Sequence, residues 1–279
     1  MPKPPAAPPI PDIRPDQSIE LLQALHILTR DGKLNQDSRR KLKQVYHLFN
    51  FIAPLLDELA ANGRDYTVAD HGAGKSYLGF ILYDLFLKHR ENGHIHGIET
   101  RHELVEKSRQ LAQSMGFTRM DFHHLSVEAS ISSAALPATV DMVTALHACD
   151  TATDDAIRFA LAKRARMIVL VPCCQAEVAA YLRRHKNESF GKTPLSELWR
   201  HPIHTREFGS HVTNVLRCLL LQAKGYQVSV TELVGWEHSL KNELIIAKQT
   251  GTPNRAAQNR AEAILEALNL EGMAPRFIY

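Results

Sequence analysis

Apolar residues along this chain follow two regimes. From Ser18 to Asn62 they recur at steps of three and four, as in Ile19, Leu22 and Leu25 and then Val45, Leu48, Phe49, Ile52, Leu55, Leu56 and Leu59, the spacing of a buried helical face. Two or three helices are expected there, with Asn62-Gly63 as a left-handed stop after the last. From Tyr66 onward, short apolar runs alternate with helical stretches. Tyr66–Asp70, Ile95–Glu99, Met120–His124, Met142–Leu146 and Ala165–Val171 read as strands, with intervening helical segments such as Ser76–Lys88 and Arg101–Gly116. Strand and helix in repetition predict parallel pairing through crossovers, a doubly wound α/β fold. Tyr226–Thr231 and Leu244–Ala247 are joined by Glu232–Glu243, which shows no full crossover helix, so these strands are expected to pair antiparallel at one edge. An Ala-rich helix is expected over Asn254–Leu270.

Composition sharpens this division. Seven of the fourteen prolines lie in residues 1–15, and fixed φ angles without donors exclude a helix or inner strand there. Residues 1–17 therefore read as a disordered or polyproline tail, 18–63 as a helical extension, 64–250 as the main domain and 251–279 as a terminal helix and tail. With 44% apolar and 23% charged residues and a net charge of +3, the 279-residue chain is of globular type. Its longest nearly unbroken apolar run, Met167–Cys174, is far shorter than the ~20 residues of a membrane span. Four cysteines, two of them adjacent, make a disulfide framework unfavourable, and Met-Pro-Lys-Pro-Pro carries no apolar leader. A cytoplasmic location follows as the expectation.

The stretch Val68-Ala69-Asp70-His71-Gly72-Ala73-Gly74-Lys75-Ser76-Tyr77-Leu78 ends a strand and opens a helix. Glycines at 72 and 74 would let the backbone approach a nucleoside cofactor while the helix start offers N–H groups to a carboxylate. Gly74-Lys75-Ser76 also ends a phosphate-binding P-loop, but Ala69 stands where its first Gly belongs and Asp70 would repel phosphate. A nicotinamide-binding G-x-G-x-x-G would need Gly in place of Tyr77. Glu99, closing the second strand, can accept hydrogen bonds from two ribose hydroxyls, or serve as a first-turn acid of the following helix.

These residues resemble the class I S-adenosylmethionine (SAM)-dependent methyltransferases: the Asp-x-Gly-x-Gly turn, the acid closing strand two and the reversed last strand. More narrowly, Asp141–Asp154 and Val171–Gln175 are similar to a methyltransferase subfamily with L-H-A-C-x-x-A-T-D and P-C-C signatures, and related patterns occur in tRNA 2′-O-methyltransferases acting on the acceptor stem. The resemblance spans about residues 40–250. It implies a seven-stranded doubly wound Rossmann-like sheet with the last strand antiparallel, preceded here by the N-terminal helical extension. It implies SAM as cofactor, with Asp70, Gly72 and Gly74 along its methionine part, Glu99 at its ribose, and Ser126 and Val127 near its adenine. The acceptor it favours is RNA, tRNA first; neither DNA nor a membrane is expected as partner.

For a hydroxyl acceptor, His147 and Asp150 at the mouth of strand four are the candidate proton acceptors. The Asn/Asp-Pro-Pro-Tyr/Phe of many adenine or glutamine N-methyltransferases is absent from the corresponding strand end. Cys149, Cys173 and Cys174 are expected near one another at the rim; with His147 they lack the spaced pairs of a zinc module, and no metal is expected. A catalytic thiolate and small residues packing the pocket both remain open roles for them, and Cys173 and Cys174 are candidates for substrate contact. Basic residues cluster at Arg39-Arg40-Lys41 with Lys43, and at Arg183-Arg184-His185-Lys186 followed by Lys192, Arg200, His201, His204 and Arg206. Arg183, Arg184 and Lys186 are candidate phosphate contacts, with Trp199 or Phe208 for base stacking; either cluster can equally be a solvated helix face. Glu237–Asn242, ending in the candidate substrate residue Asn242, joins the last two strands and can close over the rim. A small-molecule or protein methyltransferase, or a non-catalytic RNA- or protein-binding module, is the alternative on the same scaffold.

Overall fold

A computed structural model describes residues 12–146, 149–173, 175–185, 194–233 and 243–279. In chain order these form α1 (Ile19–Ala24), α2 (Gln36–Ala60), β1 (Thr67–His71), α3 (Tyr77–Leu85), β2 (His94–Glu99), α4 (His102–Ser114), β3 (Met120–His124), α5 (Val127–Ser132) and β4 (Met142–Ala145). There follow α6 (Thr151–Ala162), β5 (Met167–Leu170), α7 (Glu177–Arg184), α8 (Pro202–Ala223), β6 (Tyr226–Glu232), β7 (Glu243–Gln249), α9 (Arg255–Ala267) and α10 (Ala274–Phe277). The seven strands make one sheet in the order β3-β2-β1-β4-β5-β7-β6. β1 to β5 pair in parallel, and β7 runs antiparallel to both β5 and β6. The reversed last strand thus inserts between β5 and β6, and the order turns around at β1/β4, where doubly wound sheets place their ligands.

Strand alternation divides the core into two faces. Val68 of β1 and Ile95 of β2 face α2, α3 and α4, whereas Ala69, Ile98, Val143 and Ile168 face α6. The helical extension belongs to the first of these cores: Leu48, Ile52, Leu56 and Leu59 of α2 are buried with Phe80 and Ile81 of α3. Ser18 caps α1 through the N–H of Leu21, and its own N–H donates to the buried Asp84 of α3. Within residues 12–17, expected in the tail, Asp12, Pro15 and Asp16 are exposed, while Arg14 and Gln17 make contacts with α2. The Arg14 guanidinium lies over the rings of Tyr46 and Phe49, and Tyr46 hydrogen-bonds Gln17. The reason is that α2 presents two aromatic faces to a cation, a contact that the proline count does not reveal. A third core joins α7, α8, α9 and the C-terminal residues around Trp199, Leu216 and Phe277. Among the described residues, no helix is long and apolar enough to cross a membrane.

Candidate functional site

The loop from β1 to α3 makes a compact left-handed turn. Gly72, Gly74 and Ser76 all have positive φ, at 66°, 59° and 49°. Glycine tolerates this freely; Ser76 is held there because its hydroxyl donates to Asp70 Oδ2 at 2.9 Å in the interior. Thr144 of β4 donates to Asp70 Oδ1 at 3.1 Å, and the Gly79 N–H also bonds this carboxylate. Asp70 therefore staples β1, β4 and the start of α3 together. Burial pushes it up to about 6, against the lowering effect of these hydrogen bonds. The arrangement argues against a P-loop: the hydroxyl that would meet a nucleotide-bound magnesium points at a buried carboxylate.

Glu99 stands at the carboxyl end of β2, its side chain buried. Its Oε2 accepts the Gly74 N–H at 2.8 Å, which fastens it to the glycine turn. The Arg101 guanidinium covers the same carboxylate through Nε and Nη2, at 3.0 and 3.1 Å, and the Arg101 N–H adds a further bond. Burial by itself would raise Glu99, but these donors together hold it at about 2, so it is ionised at neutral pH. Ser126 and Val127 open α5 beyond β3; the Ser126 hydroxyl accepts the Ala129 N–H as its cap.

His71 was not singled out by the sequence pattern. It is buried against Phe159, and neither ring nitrogen has a partner among the described residues. Burial lowers it to about 4, with Glu99 opposing, so the imidazole is neutral. Two unpaired buried nitrogens beside Gly72 leave hydrogen-bonding capacity for a bound group.

At the ends of β4 and β5, Asp150 has φ 51° and ψ −120°, an unfavourable backbone for a residue with a Cβ. Four contacts maintain it. Its N–H donates to the Cys173 carbonyl, its carbonyl accepts from Arg217, and Oδ1 accepts the N–H groups of Ala176 and Glu177. Behind it, Arg217 is fully buried and forks onto Asp154 at 2.7 and 2.8 Å. Arg217 also bonds Asn214, which accepts from Gln175 and donates to Glu243. Both sequence signatures, through Asp154 and Gln175, are thus wired to α8. Cys149 and Cys173 place their sulfurs 3.2 Å apart, bridging the two strand ends. His147, Cys174, Lys186, Lys192, Asn242 and the loop over 237–242 lie outside the described residues.

Arg183 and Arg184 are exposed at the C-terminal end of α7, the helix whose start Asp150 holds. Arg200 and Arg206 pair locally with Glu197 and Glu207. Trp199 does not serve for stacking on a base. It is buried against Phe208, ring centroids 5.0 Å apart, because α7, α8 and α9 enclose it in their shared core. The first basic cluster lines the exposed face of α2, where Arg39 pairs with Asp12.

The sequence matches the profile of a methyltransferase domain family over residues 40–181, just over half of the chain. The chain belongs to that methyltransferase domain family. No curated protein matches the methyltransferase by sequence. Among solved structures it is similar to magnesium protoporphyrin IX methyltransferase from Synechocystis PCC 6803 with bound SAH, at 14% identity and TM-score 0.49, covering 82% of this chain and 94% of that one. It is also similar to DszA carbon methyltransferase, at 16% identity and TM-score 0.47, covering 86% and 60%. An rRNA methylase from Streptococcus thermophilus follows at 8% identity and TM-score 0.38, covering 66% and 87%.

The methyl donor of such a domain is SAM, and the residues of this methyltransferase fit it. The left-handed glycine turn exposes backbone at the switch point of the sheet, an ionised carboxylate closes the adjacent strand, and the neighbouring His71 has both nitrogens unpaired.

Proposed function

We propose that this methyltransferase transfers the methyl group of SAM to RNA, with tRNA the first acceptor to test. The observation that carries the donor assignment is the Glu99 carboxylate fastened to Gly74, beside a turn in which two glycines have positive φ. In this reading the turn receives the methionine end of SAM, Glu99 its ribose hydroxyls, and the loop at Ser126 and Val127 its adenine. Bound there, SAM supplies an electrophilic methyl on a sulfonium. The protein's part is to hold an acceptor atom in line with it, and proximity accounts for much of the rate. Asp150 shapes the rim beneath the acceptor through its strained turn. Its Oδ2 is the chain's described candidate for accepting a hydroxyl proton.

What supports RNA is the pairing of exposed Arg183 and Arg184 with a helix anchored on that rim, together with the resemblance of Leu146–Asp154 and Val171–Gln175 to RNA-methylating enzymes. Calorimetry is expected to show binding of SAM and S-adenosylhomocysteine but not ATP, and Gly72→Val, which places a branched Cβ at a φ of 66°, is expected to abolish it. ATP binding without either sulfur compound overturns the donor assignment. Arg183→Ala with Arg184→Ala is expected to weaken RNA binding and to lower its log–log salt slope by about two. An unchanged slope removes these arginines from phosphate contact. Nucleoside mass spectrometry of RNA from cells lacking the protein identifies the missing methyl group.

A further inference from the structure

The α6 face of the sheet is unevenly covered. α6 packs against residues of β1, β4 and β5, but beyond β3 the chain provides only the six-residue α5 before returning to β4. Four side chains stand on this face at the outer strands, His94 and His96 from β2 and Asp121 and His123 from β3, in parallel register with His96 opposite Asp121. His94 Nε2 lies 2.8 Å from Asp121 Oδ2, and the rings of His94 and His96 stack with centroids 4.6 Å apart. His96 Nδ1 lies 3.1 Å from His123 Nε2. One ligand atom from each of His94, His96 and Asp121 falls within 4.8 Å of the others.

An edge strand gains little from three crowded imidazoles, since they cannot all carry protons without mutual repulsion. His96 is buried, and a neutral ring keeps one nitrogen lone pair available. When His96 Nδ1 donates to His123, that lone pair is on Nε2, which is how an outer-shell partner orients a ligating histidine. We propose that His94, His96 and Asp121 form a divalent transition-metal site of the zinc class on the outer face of β2 and β3, with His123 orienting His96.

Two imidazoles and one carboxylate suit zinc, and a fourth position remains for solvent. The site is separate from the donor crevice: His94 begins β2 and Glu99 ends it, roughly 15 Å away along a strand. Its effect is to pin the edge strand β3, and through it the loop that leads to Ser126, onto β2. The assignment does not depend on the methyl-transfer reading.

Equilibrium dialysis of the full chain against zinc chloride tests it, with magnesium in excess as a hard-cation competitor. Because the Cys149 and Cys173 thiols can also take zinc, the experiment uses Cys149→Ser with Cys173→Ser, which is expected to retain one zinc per chain. Adding His94→Ala and His96→Ala is expected to abolish it. Asp121→Asn, at an exposed position, is expected to weaken it at least tenfold in a chain of unchanged circular dichroism. Zinc should raise the Tm of the parent and leave that of the His94→Ala, His96→Ala chain unmoved. No uptake at micromolar zinc by the folded chain, or uptake that disappears with the cysteines or persists unchanged without the histidines and Asp121, overturns the site.

Discussion

Glu99, the proposed ribose contact, is already covered by Arg101. The guanidinium occupies both carboxylate oxygens; its own side chain is 61% exposed and that of Glu99 6%. Only the guanidinium half is exposed, so water screens the pair in part, and in the proposed donor site it competes with the ribose hydroxyls by on the order of 1 kcal/mol. Arg101→Ala is therefore expected to tighten SAM binding by up to about fivefold, read by calorimetry. A weaker affinity would mean that Arg101 itself contacts the donor. Asp70 has a different character. Its oxygens are committed to Ser76, Thr144 and Gly79, so it shapes the glycine turn from behind it.

At the scale of elements, the ends of β4 and β5 are held by α8, which follows them in sequence and packs behind them. Arg217 carries this link, since it reaches Asp154 at the start of α6, the Asp150 carbonyl in the turn and Asn214 on its own helix. A fully buried guanidinium owes its stability to the completeness of that set. Arg217→Met is expected to cost about 3–5 kcal/mol in urea unfolding by leaving Asp154 buried without its partner. Combining it with Asp154→Leu should recover much of the loss. Equal destabilisation in the single and double variants would show that the pair is not coupled.

Over the whole molecule, buried titrating groups set the response to acid, and they oppose one another. His71 and His96 are both lowered from 6.5 to about 4, so between those values the unfolded chain takes up protons that the folded chain refuses, and stability falls as pH falls. Asp70 is raised from 3.8 to about 6, so in much the same window the folded chain holds a proton that the unfolded chain has released, and stability falls as pH rises. Each contribution is on the order of 3 kcal/mol when complete. Two histidines against one aspartate leave a net loss on acidification. Asp70→Asn is expected to steepen that loss between about pH 6.5 and pH 4, measured as urea stability against pH. An unaltered profile would show that Asp70 does not titrate in this range.

The apolar periods alone placed all seven strands within a few residues, from Thr67–His71 to Glu243–Gln249, because β4 and β5, buried on both faces, are apolar almost throughout, while the edge strands β3 and β6 alternate apolar and polar residues. They also marked the α2 face, and the turn at Gly72 and Gly74 and the strand ends at Asp70 and Glu99 were legible because turn chemistry and strand ends are local matters. Partnership was not. That Arg101 covers Glu99, that His71 has unpaired nitrogens, that Arg217 serves Asp154 and that His94 meets Asp121 all depend on residues drawn together by pairing and packing, in which separations from two to more than sixty positions count alike. Trp199 shows the same limit from the other side, because a tryptophan in a basic stretch reads as a stacking platform until three helices are seen to enclose it. Local sequence determines which backbone a segment adopts; which polar groups satisfy one another is decided only when the chain has closed around them.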